Sequence, residues 1–220
     1  MWPAWYRQSK NLLNKSFSTV CTQYRRAFNA PVHFTLYKEM TMNRLFNQPI
    51  AESTGHVAQL YAGIKAAVGV VPNAYVNIGS NSPIALETLL SIDGALKKGT
   101  LGAKEGEVVK LVVSQAAECD YCLAAHTLIG KKTGLSKEDI LAIRRGTPSC
   151  DKRMDALAGF TRELITTTGT MSASAVEKIK AAGFADTQIV EVVLAITSIT
   201  FTNLFNRIND TVVDFPPADQ

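Results

Sequence analysis

A chain of 220 residues that is 46% hydrophobic can bury a sizeable core and is too apolar for a disordered segment. Its formal charge of +4 lies at one end: residues 1–41 hold Arg7, Lys10, Lys15, Arg25, Arg26 and Lys38 against Glu39 alone, a local net of +5, and +4 less +5 leaves the remainder at −1. A nucleic-acid surface on the main part of the chain therefore has no support from charge, and four cysteines (Cys21, Cys119, Cys122, Cys150) are too few for a disulfide-stapled secreted scaffold of this length.

The basic segment 1–41 reads either as an organellar transit peptide or as a mis-assigned start, with Met42 as the first residue of the protein proper. The second reading is preferred, because Lys38-Glu39 can be encoded as a purine-rich ribosome-binding sequence at a suitable distance from Met42. Residues 42–220 are expected to form a single domain. The apolar run Val192 to Phe201 stops short of the roughly 20 residues a bilayer-spanning helix needs. A soluble, cytoplasmic protein with neither membrane nor nucleic acid as partner is expected, in a reducing compartment where a close cysteine pair is catalytic or metal-binding more often than structural.

Helical periodicity begins at His56-Val57, Leu60-Tyr61, Ile64 and Val68 and ends at Gly69. Val70 to Asn73 reads as a break. Ser82-Pro83 opens the next helix, with proline in the first turn, and Gly99 closes it. Lys104 to Ala117 form a third helix and Asp120 to Thr133 a fourth, which ends at Gly134 after Lys131 and Lys132. Ser136 caps a short helix running to Arg145. Segments from Asp151 to about Thr168, Ser172 to Ala182 and Asp186 to Asn206 complete an all-α fold, the last two each with a capping residue at its start. The β-branched residues between 189 and 202 also suit a strand and oppose this assignment most.

The chemistry concentrates between Glu107 and His126. Residues three and four apart share a helix face, so Cys119, Cys122 and His126 converge on one stripe. A thiolate is the nucleophile, His126 is a base able to take its proton, and Glu107 on the preceding helix can orient the imidazole. A sulfenic acid formed on one cysteine condenses with the second to a disulfide, which an external thiol then reduces.

A glutamate, eleven residues, Cys-x-x-Cys, three residues and a histidine is the pattern of the alkylhydroperoxidase D-like branch of the carboxymuconolactone decarboxylase superfamily, and Glu107, Cys119, Cys122 and His126 resemble it at every position. The resemblance extends through Tyr121-Cys-Leu-Ala-Ala-His-Thr, Gly134-Leu-Ser-Lys-Glu-Asp-Ile and Phe201-Thr-Asn-Leu-Phe-Asn-Arg, most of residues 80 to 215. It implies an AhpD-like all-helical domain, a homo-oligomer, no cofactor, and reduction of organic hydroperoxides with electrons from a dithiol protein. It also implies that Cys122 attacks and Cys119 resolves. The residues alone leave that order open, since Cys119 is nearer the helix N-terminus and Cys122 is one turn from His126.

Two positions depart from the family pattern. Tyr121 stands where a second histidine is usual, and a tyrosine is a poor proton acceptor near neutrality. Arg207 follows Asn206 where relatives often have histidine; it reads either as a residue binding an anionic substrate or as a partner of Asp210, and the pairing is preferred. Competing readings are an inert buried cysteine pair, a redox sensor, a decarboxylase, and a zinc site completed by Cys150 or His56. Plainer readings make Glu107 a solvated first-turn acid, Cys150 an incidental loop thiol and His56 a helix-surface residue. Glu118 would raise a thiol pKa if it faced one.

Overall fold

A computed structural model describes residues 43–220, so the readings of the opening segment, including Cys21 and the start at Met42, lie outside the described residues. Within them are nine α-helices and no strand. They are α1 (Gly55–Val68), α2 (Asn73–Asn81), α3 (Pro83–Lys98), α4 (Ala103–Ala116), α5 (Asp120–Lys132), α6 (Lys137–Arg145), α7 (Lys152–Thr166), α8 (Ala173–Ala181) and α9 (Asp186–Asn209).

Most boundaries follow from local chemistry. Gly69 ends α1 at φ 88°, a left-handed conformation that glycine adopts without a Cβ penalty. Ser82 Oγ accepts the Ala85 N–H ahead of α3. Ser136 and Asp139 form a reciprocal capping box at α6. Asp151 accepts the N–H groups of Arg153 and Met154 at α7, and Ser172 that of Ala175 at α8. At α9 the cap differs from expectation: Ala185 is the N-cap, its N–H goes to Gln188 Oε1, and Asp186 lies inside the first turn, where its charge favours the positive helix end.

Sequence reading missed α2. Its Asn, Ser and Gly content matches a loop, but tertiary contacts hold it helical. Tyr61 O–H donates to Val76 O at 2.7 Å, and Gly79 faces Tyr61 so closely that a Cβ there would lie 2.5 Å from the phenol oxygen. Tyr61, Ile64, Val76, Ile78, Leu86 and Leu89 form the buried cluster of α1, α2 and α3.

The main core is built round α4, whose Val108, Val109, Leu111, Val112 and Val113 are buried and which packs against α5, α6, α7 and α9. Each such side chain contributes about 1.5–3 kcal/mol through burial. The β-branched stretch of α9 is helical, and buries Val192, Ala195 and Ile199 on α4 and α3. At 24 residues α9 is longer than expected, and by length and composition alone it would reach across a membrane. Buried Asn203, Asn206 and Asn209 carry its inner face past the apolar run. These side chains bond to Ser114, Cys122 and Asn43.

Candidate redox site between α4, α5 and α9

The turn from α4 to α5 sets the position of the cysteines. Glu118 adopts φ 51°, which is unusual for a non-glycine residue and costs about 1 kcal/mol or more. Its side chain points to solvent. Cys119 N–H reaches back to Ser114 O at 3.1 Å, and Cys119 becomes the N-cap of α5. Its sulfur accepts the Cys122 N–H at 3.4 Å. The two free thiols lie 2.9 Å apart, buried with 3% and 2% of their surface exposed.

Burial would raise both thiols, yet the pair divides the effect. The Cys122 S–H, followed by its backbone N–H, lowers Cys119 below its ordinary value, with Arg207 adding a little and Asp120 opposing. Cys122 is pushed up, first because its proton is shared with the Cys119 sulfur and then by burial; Asn206 and Thr202 oppose that rise. Of the two sulfurs Cys119 is therefore the one on which an anion is favoured, at a helix N-terminus, while Cys122 keeps its proton more firmly.

α4 and α5 bring the acid and base together. Glu107 Oε2 lies 2.7 Å from His126 Nδ1, and Glu107 Oε1 accepts from Lys110 Nζ at 3.4 Å. Burial alone would raise Glu107, but His126 and then Lys110 outweigh it and hold the carboxyl below its usual range. Glu107 is thus not the solvated first-turn acid of the plainer reading, since its side chain is 6% exposed. With Nδ1 on the carboxylate, Nε2 is the nitrogen left for proton exchange. The four residues singled out in the sequence occupy one neighbourhood, with the imidazole one helical turn beyond Cys122.

Tyr121, between the cysteines, is a structural anchor. Its hydroxyl accepts the Ala74 N–H at 3.0 Å and donates to Asp214 Oδ1 at 2.8 Å, and its ring meets Phe215 edge-on at 5.5 Å. Burial first, and then Asp214, keep the phenol protonated. Arg207 does not pair with Asp210, which instead binds Arg44 at 3.0 Å; Arg207 is exposed and makes no ion pair among the described residues.

Sequence reading gave no role to Asn206, whose Nδ2 donates to Cys122 Sγ at 3.3 Å. Nor did it find the chain of Ser198 Oγ to Asp93 Oδ1 at 2.8 Å and Tyr75 O–H to Asp93 Oδ2 at 3.4 Å. The spacing of Ser198, Thr202 and Asn206, each one helical turn apart, was the available signal. His56 lies with Glu87 at 3.2 Å and Cys150 is exposed. Among the described residues no three His, Cys, Asp or Glu side chains are grouped to hold a metal ion.

Residues 83–163 match the carboxymuconolactone decarboxylase family, a span that contains the whole Glu107 to His126 constellation. No curated protein matches the sequence. Among solved structures, the chain is similar to an uncharacterized peroxidase-related protein of Ralstonia eutropha JMP134 with an alkylhydroperoxidase AhpD core, at TM-score 0.69 and 19% identity over 81% of this chain and 93% of that one. A second peroxidase-related protein, from Silicibacter sp. TM1040, gives TM-score 0.64 and 20% identity over 76% and 90%. The debrominase Bmp8, in complex with 2,3,4-tribromopyrrole, gives TM-score 0.61 and 15% identity over 72% and 85%. These likenesses establish the fold.

Proposed function

Starting from a carboxymuconolactone decarboxylase family segment at residues 83–163 on an AhpD-like all-helical fold, we propose that the chain is a thiol peroxidase that reduces organic hydroperoxides through Cys119 and Cys122. The observation that carries this reading is the pair of buried free thiols 2.9 Å apart beside a Glu107–His126 couple.

The reaction begins with the shared proton moving from Cys122 to Cys119, which leaves the anion on Cys122. That sulfur attacks the terminal oxygen of the hydroperoxide: an S–O bond forms, the O–O bond breaks, and sulfur gives up two electrons. The leaving alkoxide takes from His126 the proton that the imidazole accepted when the thiol pair ionised, with Glu107 holding the ring in orientation. Cys119 then attacks the Cys122 sulfenic acid, expelling hydroxide that leaves as water with the Cys119 proton, and a disulfide forms. A dithiol protein in a reducing, cytoplasmic setting returns the disulfide to two thiols by exchange.

A homo-oligomer belongs to the same proposal. α9 leaves Val190, Val193, Phe201, Leu204 and Ile208 exposed along its outer side, the kind of apolar surface a second copy would cover.

The test is consumption of excess cumene hydroperoxide by reduced protein with dithiothreitol as donor, with thiols mapped by mass spectrometry. Sustained consumption with a Cys119–Cys122 disulfide supports a peroxidase. One equivalent consumed and no more indicates a sensor, and unchanged thiols holding zinc indicate a metal site. Because a debrominase shares the fold, a brominated pyrrole is included; bromide release without hydroperoxide turnover would replace peroxidase chemistry with dehalogenation.

A further inference from the structure

α9 faces the cysteine pair with a side chain that the cycle above leaves unused. Asn206 is 4% exposed, and its amide is split between two situations. Nδ2 donates to Cys122 Sγ at 3.3 Å, while Oδ1, on the same amide carbon, is buried and has no hydrogen-bond partner among the described residues. A buried acceptor without a partner costs about 1–3 kcal/mol. Such a cost beside a reacting sulfur is a feature of sites that acquire their partner with the ligand.

We infer that Asn206 is a catalytic residue: Nδ2 holds the Cys122 sulfur, and Oδ1 accepts the O–H of the hydroperoxide whose terminal oxygen that sulfur attacks. The inference rests on the peroxidase reading and adds a substrate contact to it.

The geometry suits the chemistry of a hydroperoxide in particular. The terminal oxygen of R–O–O–H carries the one hydrogen that the reaction does not move, since it passes with its oxygen to sulfur and becomes the hydrogen of the sulfenic acid. An acceptor fixed about one amide width from the donor on sulfur directs that oxygen to Cys122 and turns the R–O half outward. A dialkyl peroxide, lacking the O–H, gains nothing from Oδ1. Thr202 and Ser198, one and two turns earlier on α9, continue a polar stripe from the sulfur toward Asp93 and Tyr75.

The experiment uses the full chain and its Asn206→Ala and Asn206→Asp variants, each first checked for helical content by circular dichroism. Reduced protein is oxidised in single turnover with cumene hydroperoxide and, separately, with diamide, which reacts with a thiolate and brings no O–H. Asn206→Ala is expected to slow the hydroperoxide reaction by at least about tenfold more than the diamide reaction, the scale of one lost hydrogen bond in a transition state. Asn206→Asp keeps the acceptor but sets a carboxylate beside the sulfur, so its hydroperoxide rate should return as pH rises, with the inflection moved up by about one unit. Equal slowing with both oxidants, or an Asn206→Asp rate that does not return with pH, overturns the assignment while wild-type turnover keeps the peroxidase reading intact. Wild-type protein that forms its disulfide with diamide yet ignores hydroperoxide overturns both.

Discussion

Glu107 Oε2 and His126 Nδ1 lie 2.7 Å apart across the α4–α5 packing contact, and this single bond leaves Nε2 as the imidazole nitrogen for proton exchange. Glu107→Gln keeps the volume and removes the charge. Hydroperoxide turnover should fall about 10- to 100-fold, the range of a lost acid–base contribution. Stability in urea should fall by about 1–3 kcal/mol, because buried polar groups lose a charged partner. Turnover that survives the substitution while the urea midpoint drops would make the pair structural only.

The same carboxylate predicts a pH dependence of stability. Burial raises Glu107, but His126 and Lys110 outweigh it and hold its folded-state value below the ordinary 4.5. A depressed folded-state value contributes stability that is fully present above about pH 4.5 and is lost as pH falls through the lower folded value. The stability difference between wild type and Glu107→Gln, measured by urea unfolding at pH 6, 4.5 and 3, should therefore shrink toward the acid end. A difference that stays constant over that window would contradict the assigned charge state.

Local patterns made the Cys119, Cys122 and His126 stripe legible, because three- and four-residue spacings translate directly into one helix face. Helix ends with glycine or serine caps were legible for the same reason: Gly69, Ser82, Ser136 and Ser172 act on residues within a turn of themselves. What escaped depends on residues far apart in sequence. α2 is held by Tyr61 and by the polar contact of Asn77 with Asn43. Asn206 finds Cys122 across 84 positions, and Asp214 finds Tyr121 across 93. Nearness in sequence points Arg207 to Asp210, but Asp210 caps α9 in the left-handed region and turns to Arg44.

Tyr121 lies next to Cys122 in sequence but serves the fold. Its hydroxyl ties the start of α2 and the C-terminal segment to α5 through Ala74 N and Asp214. Tyr121→Phe leaves both partners without their bond and should cost about 1–3 kcal/mol in thermal or urea unfolding. Hydroperoxide turnover of the folded variant should change by less than about threefold, since no proton passes through a phenol held protonated by burial and Asp214. A large loss of turnover with unchanged stability would return Tyr121 to the relay.

Arg153 tests the packing of α7 against α4 and α8. Its Nε and Nη2 both donate to Glu105 Oε1 at 3.0 and 2.8 Å, Nη1 donates to Ala182 O at 2.9 Å, and the guanidinium lies 3.7 Å from the Phe184 ring centroid. An ammonium cannot reproduce a planar fork stacked on a ring. Arg153→Lys should lower stability by about 1–2 kcal/mol with the redox pair unaffected, read as an earlier urea midpoint at an unchanged rate of disulfide formation.

The order of the two sulfurs yields the sharpest prediction, because charge and reactivity are assigned to different atoms. An anion is favoured on Cys119, lowered by the Cys122 S–H and N–H, whereas attack is assigned to Cys122, which Asn206 contacts and His126 follows by one turn. Cys119→Ser removes the leading cause that raises Cys122. That variant should therefore still react once with cumene hydroperoxide and stop at a Cys122 sulfenic acid, which dimedone traps as a single adduct. Cys122→Ser keeps an anion-stabilising N-cap at Cys119 but loses the sulfur that meets the peroxide, and should consume none. A dimedone adduct on Cys119 in the Cys122→Ser protein, with Cys119→Ser inert, would reverse the roles and make the sulfur on which an anion is favoured the attacking one.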